Sequence, residues 1–285
     1  MTSTSTKNKK FSDLAIRLVT GILGSAFMIF VLVYFKDWGF FCSFLFLTVM
    51  TQLEFYKLIK ASGRTPVRNY GAFLGVLTFS LVFLFEKQIV GFDWFYAVFA
   101  LSSLIYFIKL YKIGEEKPFV NIAFTFLGLF YVAVPISLLN VIAFHAGSYS
   151  YELVIGLFLI LWASDTGAYF AGTAFGKRKL FESVSPKKSW EGSIGGGILS
   201  LAFALGVSHW FKVIPSWQWV IISFIVIVAG NYGDLVESLF KRSMDIKDSG
   251  RKLPGHGGFL DRFDGLLLSV PFIVVFLRMC SIFWD

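Results

Sequence analysis

The sequence predicts an all-α protein, a polytopic membrane helix bundle of about nine transmembrane helices. Its 285 residues are 56% hydrophobic and only 15% charged, and the mean hydropathy is +0.71. Such a chain is too apolar for a soluble domain of this size. Aromatic residues make up 19% of it, as is typical of lipid-facing helices with Trp and Tyr near the membrane interfaces.

Apolar runs separated by charged segments place these helices along the chain. Each run is long enough to enter or to cross a bilayer. The predicted helices occupy approximately residues 18–35, 38–53, 70–85, 94–108, 119–144, 153–175, 192–211, 217–230 and 265–284. The polar residues 1–10 are expected to be a cytoplasmic leader of the first transmembrane helix, not part of a cleaved signal peptide.

The basic residues predict the orientation in the membrane. With the N-terminus in the cytoplasm, 22 of the 26 Lys and Arg residues fall on the cytoplasmic side and 4 on the other. The net charge of +8 is therefore a topology signal and a phosphate-binding surface, and no nucleic acid partner is expected. Cys42 and Cys280 both lie in apolar runs, which argues against a disulfide framework or a zinc site.

A charged stretch at residues 231–264, between the last two apolar runs, is the most informative part of the chain. It holds six of the 18 acidic residues. If the preceding helix continues into it, polar side chains spaced i, i+3, i+7 and i+10 share one helix face. These side chains are Asn231, Asp234, Ser238 and Lys241. Asp261 and Asp264, three residues apart, share a face at the start of the next helix.

This arrangement predicts chemistry on phosphates. Carboxylates on two facing helices suit a hard divalent cation, and neighbouring Lys and Arg side chains suit phosphate oxygens. The Gly- and Pro-rich loop at 253–258 can bring backbone N–H groups close to an anion. The stretch therefore indicates a metal-dependent phosphoryl or nucleotidyl transfer site.

Two further segments point to the same chemistry. Asp165 lies inside an apolar run, where a carboxylate is costly unless it faces a polar cavity or a partner. Farther along, Ser185 and Pro186 fit the N-cap and first residue of a helix, and the lysines that follow would then make its N-terminus an anion site. Glycines at 172, 176 and 195–197 predict close helix contacts.

The charged stretch resembles the signature of the CDP-diacylglycerol synthase family, also called phosphatidate cytidylyltransferase. The matching residues are Ser238-x-Phe240-Lys241-Arg242, Lys247-Asp248-x-Gly250 and Leu253-Pro254-x-His256-Gly257-Gly258-Phe259-x-Asp261-Arg262-Phe263-Asp264. A second family segment resembles Ser185-Pro186-x-Lys188-Ser189-x-Glu191-Gly192. The first 150 residues resemble the family only in hydropathy.

The resemblance implies a Mg²⁺-dependent enzyme of phospholipid biosynthesis, which converts CTP and phosphatidic acid into CDP-diacylglycerol and pyrophosphate. The expected catalytic residues are Asp234, Asp261, Lys241 and Arg262. The expected metal ligands are Asp234, Asp261 and Asp264, and a second ion that shares Asp264 or Asp165 is left open. The expected substrate contacts are Asp165, Ser185, Lys187, Ser189, Glu191, Ser238, Arg242, Lys247, Asp248 and His256.

On this interpretation, residues 1–150 build the bundle and a lipid groove. Residues 151–285 form a catalytic transmembrane domain with cytoplasmic loops at 176–191 and 238–264. The site would face the cytoplasm from a bacterial-type inner membrane and meet CTP, phosphatidic acid and membrane lipids. Two alternatives are a CTP-dependent kinase of a polyprenol or similar lipid, and an anion transporter. A homodimer is also left open.

Overall fold

The computed structural model of the protein describes residues 21–246 and 258–284. Nine helices within these ranges confirm the predicted all-α bundle. They are α1 Gly21–Tyr34, α2 Lys36–Ala61, α3 Arg68–Glu86, α4 Phe92–Leu110, α5 Pro118–Ala143, α6 Tyr151–Phe175, α7 Trp190–Trp210, α8 Ser216–Ser243 and α9 Leu260–Phe283. All but α1 are long and apolar enough to cross a membrane. The chain is thus an integral membrane protein.

Two helices extend well beyond the apolar runs that predicted them. The second predicted helix ended at residue 53, whereas α2 continues to Ala61; that boundary was wrong. Glu54, Phe55 and Tyr56 in the extra turns are buried against neighbouring helices, and the Tyr56 hydroxyl donates to the Thr125 carbonyl at 2.7 Å. The eighth helix continues through Asn231 to Ser243, as the spacing of the charged stretch required.

A short antiparallel hairpin joins α6 to α7. Its strands are β1, Lys179–Phe181, and β2, Ser185–Ser189. The prediction that Ser185 caps a helix beginning at Pro186 was therefore wrong, because strand pairing keeps the chain extended as far as Ser189. That residue is the actual N-cap of α7, and its hydroxyl accepts a hydrogen bond from the Gly192 N–H at 3.2 Å.

Helices α6 and α7 pack closely along their length. A Cβ atom on Gly196 would lie 2.7 Å from the Ser164 carbonyl oxygen, and one on Gly195 would collide with the Ala171 side chain. Gly172 in turn faces the backbone of Gly192. The close helix contacts predicted from the glycine spacing are confirmed.

The bundle has two chemically different ends. The end where α2, α6 and α8 finish and α7 and α9 begin, here called the charged end, carries the ion pairs around Asp234 and Lys241. The far end holds two separate pairs between helices. They are Lys87 with Asp37 and Arg278 with Glu86, both at 2.6 Å.

We predict that the charged end faces the cytoplasm and the far end faces away from it. Single cysteines at Ile89 and Lys187, both exposed, would report the two ends after Cys42 and Cys280 have been replaced by Ser. An impermeant maleimide should label only Ile89→Cys in spheroplasts and both sites after permeabilisation. Labelling of Lys187→Cys before permeabilisation would invert the topology.

Candidate active site

A cavity of about 360 Å³ lies at the charged end between α6, α8 and α9. Among the described residues, five acidic and three basic side chains line it, together with apolar residues of the same helices. The charged residues are Asp165, Lys188, Asp234, Glu237, Lys241, Asp261, Arg262 and Asp264. Six of the fifteen residues predicted for the site are among them, including all three expected metal ligands.

A close backbone crossing between α8 and α9 lies beside this cavity, which Asp264 and Gly265 line. A Cβ atom on Gly233 would lie 2.5 Å from the Asp264 carbonyl oxygen and 3.0 Å from the Gly265 Cα. No side chain fits at such a distance, so only glycine allows the two backbones to touch here. The π-helical turn Val226–Gly230 precedes this crossing in α8, and such turns often occur at functional sites.

The crossing brings three carboxylates into one cluster. Ligand oxygens of Asp234, Glu237 and Asp264 lie within 4.8 Å of one another. The Glu237 side chain is almost fully buried, and its Oε1 accepts no hydrogen bond from the described residues. Hard divalent cations prefer oxygen ligands of this kind. The cluster therefore fits a divalent cation.

Strand β2 supplies one cation to the cluster. The Lys188 ammonium lies 2.7 Å from Asp234 Oδ2 and donates to the Asn231 carbonyl oxygen at 3.0 Å. Successive side chains of a strand point to opposite sides, and Lys187 is exposed and is not among the side chains that line the cavity. Lys188 is therefore the lysine that reaches the carboxylates.

A second lysine joins the cluster to the start of α9. The Lys241 ammonium lies 2.8 Å from Glu237 Oε2 and 3.1 Å from Asp261 Oδ1. Asp261 also accepts a hydrogen bond from the Gly258 N–H at 3.3 Å. Asp261, predicted as a metal ligand, thus lines the cavity as part of an ion-pair network, next to the three clustered carboxylates.

The other predicted residues of the charged stretch and of α6 are placed as follows. Asp165 and Arg262 line the cavity, and the Asp165 carboxylate is exposed to it, as its position inside an apolar run required. The Ser238 hydroxyl lies 3.5 Å from Asp234 Oδ1. Arg242 is exposed and is not among the residues that line the cavity. The predicted contacts Lys247, Asp248 and His256 lie outside the described residues.

Three residues predicted to meet the nucleotide, in β2 and the first turn of α7, make local contacts around the hairpin. The Glu191 carboxylate accepts hydrogen bonds from the backbone N–H groups of Lys177 and Arg178 at 3.1 and 3.2 Å. The Ser189 hydroxyl accepts the N-cap hydrogen bond of α7, and Ser185 pairs with Phe181 in the hairpin. Nucleotide contacts by Ser185, Ser189 and Glu191 remain predictions.

Two residues of the site, Glu237 and Lys188, were not among the predicted site residues. Glu237 lies three residues after Asp234, so the same helical spacing that placed Asp234 on one face indicated Glu237 as its neighbour. Lys188 was matched to the second family segment, but Lys187 stood in its place among the expected substrate contacts, because the hairpin register that decides between them cannot be read from the sequence.

Comparison with known proteins identifies the family. The sequence matches the Cytidylyltransferase family over residues 15–280. It is 33% identical over 260 residues to a phosphatidate cytidylyltransferase of Bacillus subtilis, and this alignment covers 84% of this chain and 94% of that protein. A phosphatidate cytidylyltransferase of Staphylococcus saprophyticus is 40% identical over 181 residues, with 62% of this chain and 68% of that protein covered.

A phosphatidate cytidylyltransferase of Haemophilus influenzae is 39% identical over 183 residues, or 62% of this chain. The aligned part spans 64% of the length of that protein. The family match includes the helices before residue 150 as well as the charged stretch, so the relationship extends beyond the motifs. The chain belongs to the cytidylyltransferase family.

Proposed function

We propose that this protein is a phosphatidate cytidylyltransferase, which converts CTP and phosphatidic acid into CDP-diacylglycerol and pyrophosphate at the cytoplasmic face of an inner membrane. The observation that carries the proposal is the cluster of Asp234, Glu237 and Asp264 with Lys188 and Lys241 against it. Nucleotidyl transfer requires carboxylates that bind a divalent cation and, beside them, ammonium groups that bind phosphates. The family relationship supports the same activity.

In the proposed reaction, an ionised phosphate oxygen of phosphatidic acid attacks the α-phosphorus of CTP in line. The new P–O bond forms as the bond from this phosphorus to the bridging oxygen of the β-phosphate breaks, and pyrophosphate leaves. Because the attacking phosphate is already ionised near neutral pH, no strong general base is needed. Catalysis then depends on positioning and on neutralising charge.

The chain's own residues divide these tasks. A divalent cation, which we propose to be Mg²⁺, would be held by Asp234, Glu237 and Asp264 and would neutralise charge on phosphate oxygens. Lys188 and Lys241 present ammonium groups at the same place. Asp261 holds Lys241 in position through their 3.1 Å ion pair.

The lipid chains must stay in the bilayer, because moving them into water is costly. An apolar groove of about 530 Å³ between α8 and α9 suits them. It lies on the opposite face of α8 from Asp234, since its lining includes Tyr232 and Val236, two residues to either side. This groove lies in the C-terminal half, whereas the groove predicted among the first five helices stays a prediction.

The products test the function directly. Purified protein with CTP, Mg²⁺ and phosphatidic acid should form CDP-diacylglycerol and pyrophosphate. CDP together with a phosphorylated lipid would contradict the proposal and favour a lipid kinase.

Asp234→Asn should lower turnover on the order of 10³-fold or more, because it removes one of a few metal-binding carboxylates.

Asp245→Asn is the matched control for this measurement. Asp245 follows α8, is exposed, and has a φ of 57°, a conformation that Asn tolerates well. Its activity should equal that of the wild type. Near-normal turnover in Asp234→Asn would remove Asp234 from the metal site.

Adjacent lysines of β2 give a second test. Lys188→Ala should lower kcat more than Lys187→Ala, since of these two lysines Lys188 is the one that contacts the carboxylate cluster. Lys187→Ala should raise mainly the KM for CTP, by about 10- to 150-fold if it makes a charge-assisted phosphate contact worth roughly 1.5–3 kcal/mol.

Steady-state kinetics with each substrate varied in turn would separate these effects. A greater loss of kcat in Lys187→Ala than in Lys188→Ala would contradict the assignment of Lys188 to the site. A rise in KM confined to the lipid would assign Lys187 to phosphatidic acid.

A further inference from the structure

Glu54, near the end of α2, is a buried carboxylate that the mechanism above does not use. Its side chain is about 1% exposed. Glu54 Oε2 accepts a hydrogen bond from the Phe259 N–H and Oε1 accepts one from the Leu260 N–H, both at 3.2 Å. These donors are the backbone groups at the very start of α9.

Glu54 thus caps a helix from outside that helix. The first N–H groups of any helix lack partners within it, and Phe259, the N-cap residue of α9, offers no side-chain acceptor. A carboxylate at this position also interacts favourably with the helix dipole. Burying a charged carboxylate is costly without hydrogen bonds, and these two bonds offset that cost for Glu54.

The capped turn is the one that carries the site. Asp261 follows Leu260 directly, and Asp264 lies one turn farther along α9. The next residue of α2, Phe55, stacks on Phe240 of α8 with ring centroids 4.8 Å apart. One segment of α2 therefore contacts both helices that meet at the carboxylate cluster.

We propose that Glu54 is a positioning residue, whose carboxylate fixes the first turn of α9 so that Asp261 and Asp264 face the carboxylates of α8. The inference rests on the proposed function and extends it to the N-terminal half of the chain. Glu54 touches neither substrate; it acts through the backbone of α9.

The test compares Glu54→Ala and Glu54→Gln with Glu86→Ala. Glu86 also bonds to α9 from another helix, but at the far end, where its Oε1 lies 2.6 Å from Arg278 Nη2. Mn²⁺ binding by each purified variant would be measured by electron paramagnetic resonance without substrates. Thermal unfolding midpoints and kinetics of CDP-diacylglycerol formation would be measured on the same preparations.

Glu54→Ala should weaken Mn²⁺ binding and lower kcat, each by about 10- to 100-fold, as is common when a group that orients metal ligands is removed. The KM for CTP at saturating metal should change much less. Glu54→Gln, which keeps one acceptor oxygen, should fall between Glu54→Ala and the wild type. Glu86→Ala should match the wild type in metal affinity and kcat.

Wild-type Mn²⁺ affinity and kcat in folded Glu54→Ala would overturn the proposal. Failure of both Glu54 variants to fold, while Glu86→Ala folds, would also overturn it, because the carboxylate would then serve folding and not the site. Absence of CDP-diacylglycerol from the wild type would refute the proposed function, whereas the Mn²⁺ measurements would still decide the role of Glu54.

Discussion

The backbone contact between α8 and α9 at Gly233 is the constraint on which the rest of the site depends. A Cβ atom there would lie 2.5 Å from the Asp264 carbonyl oxygen, and a Cβ atom on Gly265 would lie 3.4–3.8 Å from the backbone of Gly230. Helix axes normally pack 8–10 Å apart, a distance set by the side chains at the contact. Because these glycines remove the side chains, carboxylates from two helices can come within 4.8 Å of one another.

Carboxylates this close repel one another, and the basic side chains of the cavity neutralise only part of their negative charge. Five acidic and three basic side chains line the cavity in the described part of the chain. With all of them ionised, the excess is two negative charges, the charge that one divalent cation would neutralise. Lys188 and Lys241 each pair with the cluster, while Glu237 Oε1 accepts no hydrogen bond from the described residues. The same lysines are placed to meet phosphates, so the arrangement suits both halves of the proposed chemistry.

Sequence reasoning was strongest where one physical signal dominates. Hydropathy predicted the nine helices, and the spacing of Asp234, Asp261 and Asp264 predicted a shared acidic site, because apolar runs and helical spacing are both local features of the sequence. It failed where distant segments decide the outcome. The extra turns of α2 mix charged residues with side chains that are buried against other helices, so hydropathy ended that helix before Glu54. Likewise, the hairpin register moved the N-cap of α7 to Ser189.

The central claim is that the glycine crossing assembles a metal site, and Gly233→Ala tests it most directly because it removes no ligand. Mn²⁺ binding to the purified variant should be weaker than to the wild type by on the order of 10-fold or more. Gly206→Ala is the control, since a Cβ atom at Gly206 meets nothing within 4 Å, and it should bind Mn²⁺ as the wild type does. Wild-type Mn²⁺ affinity in a folded Gly233→Ala protein would contradict the account.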